Sequence, residues 1–325
     1  MREDRFTGTI VGLAVGDALG YPAEFRGRAQ LLAELGPEGI TDFVRLRDPR
    51  FSRPFIVGTD HPPGTFTDDT QMSLAVAEGL LAAGHEGDLD SLMAEIGRRF
   101  VAWSESPDNN RSPGSTCMSG CAALRRGVPW REAGVADSKG CGSAMRVAAI
   151  GLYYPDLEQV AEVARASSLL THGHVAAVEG AAAAALMVAL ALRDASPEEM
   201  HRELLRRCGG RSADFDARVG SVPEWLARPP EQALAGGGLG EAWVAEEAVA
   251  SALYCVWRHP ESFADAVLEA VNTDGDSDSI AAIAGSVMGA RLGLAAIPAR
   301  WVEGVERSAE LQELGRRLWR GQHSR

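Results

Sequence analysis

Asn272-Thr273-Asp274-Gly275-Asp276-Ser277-Asp278-Ser279 runs straight into Ile280-Ala281-Ala282-Ile283-Ala284-Gly285. An acidic, hydroxyl-rich loop therefore opens an apolar helix built from small residues. Three carboxylates at alternate positions repel one another unless water, helix N-terminal amides or a cation offsets the charge. A divalent cation is the sharpest of these answers, and helix capping or a solvated turn is the plain alternative. An EF-hand fits the first, third and fifth positions with Asp274, Asp276 and Asp278. It fails at the sixth, where Ser279 replaces Gly, and at the twelfth, where Gly285 replaces Glu. Any further ligands must come from elsewhere in the chain.

Thr65-Phe66-Thr67-Asp68-Asp69-Thr70 supplies them, again with hydroxyls and adjacent acids at the start of a helical pattern, Gln71 to Glu78. Two acidic helix starts, about two hundred residues apart, are expected to face each other across a pocket. Carboxylates with Thr and Ser hydroxyls suit Mg²⁺ or Mn²⁺, and the lack of paired His or Cys argues against zinc.

Glycine spacing says how such a helix packs. Gly12, Gly16 and Gly20 recur every fourth residue in the segment Phe6 to Gly20, and Gly285, Gly289 and Gly293 repeat the interval after the acidic loop. Neither segment is apolar enough to span a membrane, so the stripes predict close helix packing in a buried core. Neither is a P-loop or a dinucleotide fingerprint. Asp17 lies inside this first helix and Glu24 follows on the loop leaving it; both read as surface acids, with Glu24, just past Pro22, the freer to meet a ligand.

The chain has 325 residues, 46% hydrophobic and 24% charged, with a net charge of −13. Such an acid excess argues against a broad nucleic-acid surface. An acidic protein that handles phosphate must do so locally, through metals, helix N-termini or backbone amides. Five cysteines form no disulfide framework and read as buried thiols of a cytoplasmic protein. The charged start, Met1 to Arg5, lacks the design of a signal peptide, and Val175 to Leu192, interrupted by Glu179, reads as a buried core helix.

Other stretches read as loops and helix starts. Residues 37–64 predict a long loop of the kind that often forms a lid. Leu89 to Trp103 predicts an amphipathic helix, and the turn-rich run Asp108 to Thr116 precedes another ending near Leu124. Ser138-Lys139-Gly140-Cys141-Gly142-Ser143-Ala144-Met145-Arg146 exposes backbone N–H groups before a helical run, a way to cradle phosphate without basic side chains. Thr171-His172-Gly173-His174 ends the Leu157–Leu170 helix, with capping as the plain role of its histidines. Gly209 to Gly240 predicts a flexible connection. Period-two alternation is scarce, so the fold class is all-α: one multi-helix domain over 1–325.

Taken together, five segments resemble the ADP-ribosylglycohydrolase family, of the dinitrogenase-reductase-activating type. They are Gly12 to Gly20 with Glu24, Phe66 to Thr70, Gly140 to Arg146, Thr171-His172, and Asp276 to Ala281. The resemblance implies an all-α fold and hydrolysis of a glycosidic bond at C1″ of ADP-ribose, on a carrier such as an arginine-modified protein, by a monomer. It implies two divalent cations, Mg²⁺ or Mn²⁺, on Thr67, Asp68, Asp69, Asp276, Asp278 and Ser279. Glu24, Asp68, Asp69 and Asp276 are the implied catalytic residues. Ser112, Gly114, Ser115, Gly140, Gly142, Ser143, Met145 and His172 are implied to cradle the ADP-ribose. Ser279 stands where the family commonly has Thr, Cys141 where Asn is frequent, and Ser112-Pro113-Gly114-Ser115 where the nitrogenase-regulating branch has Asp-Ile-Gly-Asn. A non-catalytic, crystallin-like relative is one alternative. An aspartyl-phosphate phosphatase is another, since Asp276-Ser277-Asp278-Ser279 matches its core, but that core should end a β-strand.

Overall fold

The computed structural model describes residues 3–45, 61–85 and 87–323. Most of the loop expected over residues 37–64 lies outside these. The helices of the N-terminal half are α1 (Glu3–Gly20), α2 (Arg28–Leu35), α3 (Asp68–Ala83), α4 (Leu89–Ser104), α5 (Ser115–Arg125), α6 (Trp130–Ala133), α7 (Ala148–Tyr153) and α8 (Leu157–Leu169). They continue as α9 (Val175–Ala191), α10 (Pro197–Cys208), α11 (Ala213–Gly220), α12 (Val222–Trp225), α13 (Pro230–Ala233), α14 (Ala245–Arg258), α15 (Phe263–Val271), α16 (Ser277–Leu292), α17 (Ala299–Gly304) and α18 (Ser308–His323). Among the described residues there is no strand, only two isolated bridges. The all-α reading therefore holds.

The centre of the molecule is the pair α1 and α16, the most extensive helix contact. Its cause is glycine on both sides. A Cβ at Gly12 would stand 2.4 Å from the Gly285 carbonyl oxygen, at Gly16 2.0 Å from that of Ala281, and at Gly289 2.0 Å from that of Gly8. No side chain fits at these crossings. As the numbers rise along α1 they fall along α16, so the helices are antiparallel and the last turn of α1 meets the first turn of α16. At that end a Cβ on Gly20 would lie 2.4 Å from Asp278 Cα. Backbone contact thereby fixes where the acidic loop sits.

Helix α9 fills the interior beside this pair and is buried along nearly its whole length. Its one acid, Glu179, is neutralised by Arg165 at 2.7 Å, so the apolar run is a core helix. Outer helices carry the amphipathic pattern: α10 turns Met200, Leu204 and Cys208 inward, and α18 turns Leu311, Leu314 and Leu318. All five cysteines are buried and free.

Residues 209–240, expected as a flexible connection, contain α11, α12 and α13 and bury Phe215, Val219, Leu234 and Leu239. Composition misled because the glycines there close tight turns: a Cβ at Gly238 would meet the Ala233 and Gln232 carbonyl oxygens at 2.4 Å. No helix among the described residues is long and apolar enough to cross a membrane.

Candidate active site

Asp17, in the last turn of α1, is fully buried rather than a surface acid. Its carboxylate accepts from Thr67 N at 2.9 Å, Thr67 Oγ1 at 2.8 Å, Thr70 N at 2.9 Å and Thr70 Oγ1 at 2.5 Å. The start of α3 is thus tied to the end of α1, and through the glycine contact to the start of α16. Burial and the nearby Asp278 carboxylate raise Asp17 to about 7, against the hydrogen bonds from Thr70 and Thr67 that pull it down.

Both acidic helix starts obey the same local physics. Thr67 caps α3, accepting from Asp69 N, with Asp68 and Asp69 in the first turn. Asp276 caps α16, accepting from Ser279 N, with Asp278 in the first turn. Anionic side chains are favoured at the positive end of a helix, which is why the sequence can place them there. Their burial is another matter. Asp68, Asp69 and Asp276 are all pushed well above the usual carboxylate range, first by burial; Asp278 adds to all three.

Two of these acids have protein partners facing the cavity. Gly114 N donates to Asp68 Oδ2 at 3.1 Å, and the Cys141 thiol to Asp276 Oδ2 at 2.8 Å. Asp69 Oδ1 is buried and has no partner. Asp274 goes elsewhere: it is exposed and accepts from Arg28 N at 2.7 Å, capping the start of α2.

Above the acids opens a cavity of about 540 Å³. Asp68, Asp69, Asp276, Asp278 and Ser279 line its floor, and Glu24 lines it from the turn after α1. One wall is Ser112 to Thr116, the loop that enters α5 and the first two residues of that helix. That loop is anchored by Arg111, which pairs with Glu306 at 2.5 Å and donates to Phe66 O. The other wall is Gly140, Cys141, Gly142, Met145 and His172. Both glycines sit against His172, and Gly142 against Cys117 as well: a Cβ at Gly142 would stand 2.7 Å from Cys117 Sγ, and one at Gly140 3.0 Å from His172 Nε2. At the mouth Phe25 and Trp243 stack, ring centroids 4.9 Å apart, and both remain partly exposed.

Two expected residues do not reach this cavity. Ser143 is fully buried and its hydroxyl donates to Ala177 O at 3.3 Å, so it ties its short 3₁₀ turn to α9. Thr67 faces Asp17, below the floor.

The whole chain, residues 1–325, matches the model of the ADP-ribosylglycohydrolase family. This chain belongs to that family. An uncharacterized protein of Archaeoglobus fulgidus is 36% identical over 98% of this chain and 96% of its own. The ADP-ribosylarginine hydrolase Tri1 of Pseudomonas putida is 29% identical, over 97% of this chain and 78% of its own. Among solved structures, an ADP-ribosylglycohydrolase-related protein complex superimposes with a TM-score of 0.77 at 27% identity, covering 98% of both chains. Membership supports hydrolysis of ADP-ribose glycosidic bonds as the activity. The phosphatase alternative fails on the fold, because the residues before Asp276 form the helix α15.

In this chain the floor offers carboxylate and hydroxyl oxygens, a donor set suited to hard divalent cations, and the unpartnered Asp69 Oδ1 points the same way. Among the described residues, no three His, Cys, Asp or Glu side chains already stand in a coordinating arrangement. Like charges repel, and Asp68 and Asp276 are instead drawn to Gly114 N and Cys141 Sγ.

Sequence reasoning underrated Asp17 and missed Phe25 and Trp243. A lone acid in a helix carries no periodic signal, although Asp17 adjoins the buried glycine stripe. Phe25 adopts a left-handed backbone, φ 64°, that no local pattern announces.

Proposed function

We propose that this protein hydrolyses the bond from C1″ of ADP-ribose to a side chain of a modified protein, arginine being the foremost acceptor, with Mg²⁺ or Mn²⁺. What carries the reading is the convergence of two distant acidic helix starts on one cavity, with Asp69 Oδ1 buried and unpartnered there. The Tri1 relative, named for ADP-ribosylarginine, supports the choice of acceptor.

Asp68, Asp69, Asp276, Asp278 and Ser279 are the residues that would hold the cations, with Asp17 and Thr67 bracing them from below. Bound cations would supply charge neutralisation, a grip on vicinal hydroxyls and a more acidic water. The remaining work falls to the chain itself. Gly140 and Gly142, lacking Cβ, let a diphosphate approach the backbone. Glu24, at the edge of the cavity, moves a proton between water or leaving group and solvent as C1″ gains oxocarbenium character.

The test is release of ADP-ribose from arginine-, serine- and nucleic-acid-linked substrates, with Mg²⁺, Mn²⁺ or chelator. Arginine-linked substrate should turn over, chelator should stop it, and Asp276→Asn should cut kcat by roughly a hundredfold or more, the scale of losing one organised electrostatic group. No release from any linkage ends the hydrolase reading. Full activity in chelator ends the metal reading, and tight ADP-ribose binding without turnover favours a non-catalytic binder.

A further inference from the structure

His172 lies at the end of a buried chain of donors. The Arg146 guanidinium, fully buried, donates to Ser167 O at 2.9 Å and to Thr171 Oγ1 at 2.8 Å. A guanidinium has no acceptor, so the Thr171 hydroxyl must accept from it. That hydroxyl is also buried, and its other neighbour is His172 Nδ1, again at 2.8 Å. A hydroxyl has one proton to give. It finds an acceptor here only if Nδ1 is bare; with a proton on Nδ1, the Thr171 O–H would stay buried and unsatisfied.

We infer that Arg146 and Thr171 are positioning residues that hold His172 as its Nε2–H tautomer, an uncharged donor presented to an oxygen of the bound ADP-ribose. The far edge of the ring agrees. His172 lines the cavity, and its Nε2 and Cε1 lie against Gly140 and Gly142, each 3.0 Å from where a Cβ would begin. Side chains there would cover the N–H; glycine leaves it open. A donor whose proton cannot move to Nδ1 presents the same face to every substrate. The placement of that donor rests on the proposed ADP-ribose reading, whereas the tautomer is a property of the free protein.

The ¹⁵N spectrum of histidine-labelled protein without ligand decides the tautomer. Wild type and Thr171→Ser should show Nε2 protonated and Nδ1 bare, while Thr171→Val, which keeps the shape but not the hydroxyl, should show a tautomer mixture. In calorimetry Thr171→Val should bind ADP-ribose about tenfold more weakly, the scale of one displaced hydrogen bond, and Thr171→Ser should restore it. A proton on Nδ1 of wild-type His172, or a tautomer unmoved in Thr171→Val, overturns the inference. If the Thr171→Val variant does not fold, the wild-type spectrum still decides it. A wild-type protein with Nε2–H but no affinity for ADP-ribose counts against the proposed function alone.

Discussion

At the scale of single residues, burial governs charge at this site. His172 is 1% exposed, and burial together with the Arg146 charge holds its pKa down at about 3. In the unfolded chain a histidine titrates near 6.5, so below that pH the unfolded state takes a proton that the native state refuses. Stability from this residue is complete above about 6.5 and is lost progressively as the pH falls toward 3. Each unit of separation is about 1.4 kcal/mol, so roughly 3 kcal/mol is lost by about pH 4. We expect urea unfolding of His172→Gln to show a correspondingly smaller drop in stability between about pH 7 and about pH 4. An identical drop would mean that His172 titrates normally. The sequence placed His172 beside the ligand through its resemblance to a family. It did not disclose that Arg146 stands behind Thr171, because those two residues come from separate segments and only folding brings them within 2.8 Å.

At the scale of elements, two glycine-striped helices make the frame. Gly16→Ala puts a methyl 2.0 Å from the Ala281 carbonyl oxygen, and backbone on both sides leaves it nowhere to go. Overpacking of this kind costs about 3 kcal/mol or more, and the variant should be severely destabilised or insoluble. Gly97→Ala in α4 is the control, since its Cβ would meet only leucine methyls at ordinary distance, nearest 3.5 Å. There the gain in helix propensity should raise stability by about 0.5–1 kcal/mol in the same denaturation assay. If both substitutions behave alike, contact between α1 and α16 is not what holds the centre. The fourfold spacing was legible in the chain, as were α15, the start of α4 at Leu89 and the end of α5 near Leu124. The helices of residues 209–240 were not, because short helices held by tertiary contacts leave little periodicity to read.

At the scale of the whole molecule, α3 and α16 begin far apart in the chain yet line one cavity. A cation bound between them would act as a clamp on the native state. Stabilisation then grows with ligand concentration, reaching about 2.7 kcal/mol at about one hundred times Kd. We expect Mg²⁺ or Mn²⁺ to raise the melting temperature in a concentration-dependent way, and Asp69→Asn/Asp276→Asn to abolish the rise. In chelator the double variant should melt no lower than wild type, because removing charges relieves repulsion among buried carboxylates. An undiminished rise in the variant would place the cation elsewhere. What the sequence determined alone was local: an all-α chain, two acidic helix starts, and glycine stripes able to pack closely, all of which are written in spacing and residue type. The tertiary structure decided register and burial. Asp17 became the post on which the start of α3 rests, Gly20 the point where the start of α16 meets α1, and Asp274 and Ser143 found partners away from the cavity, since which backbone meets which is fixed by packing across the chain.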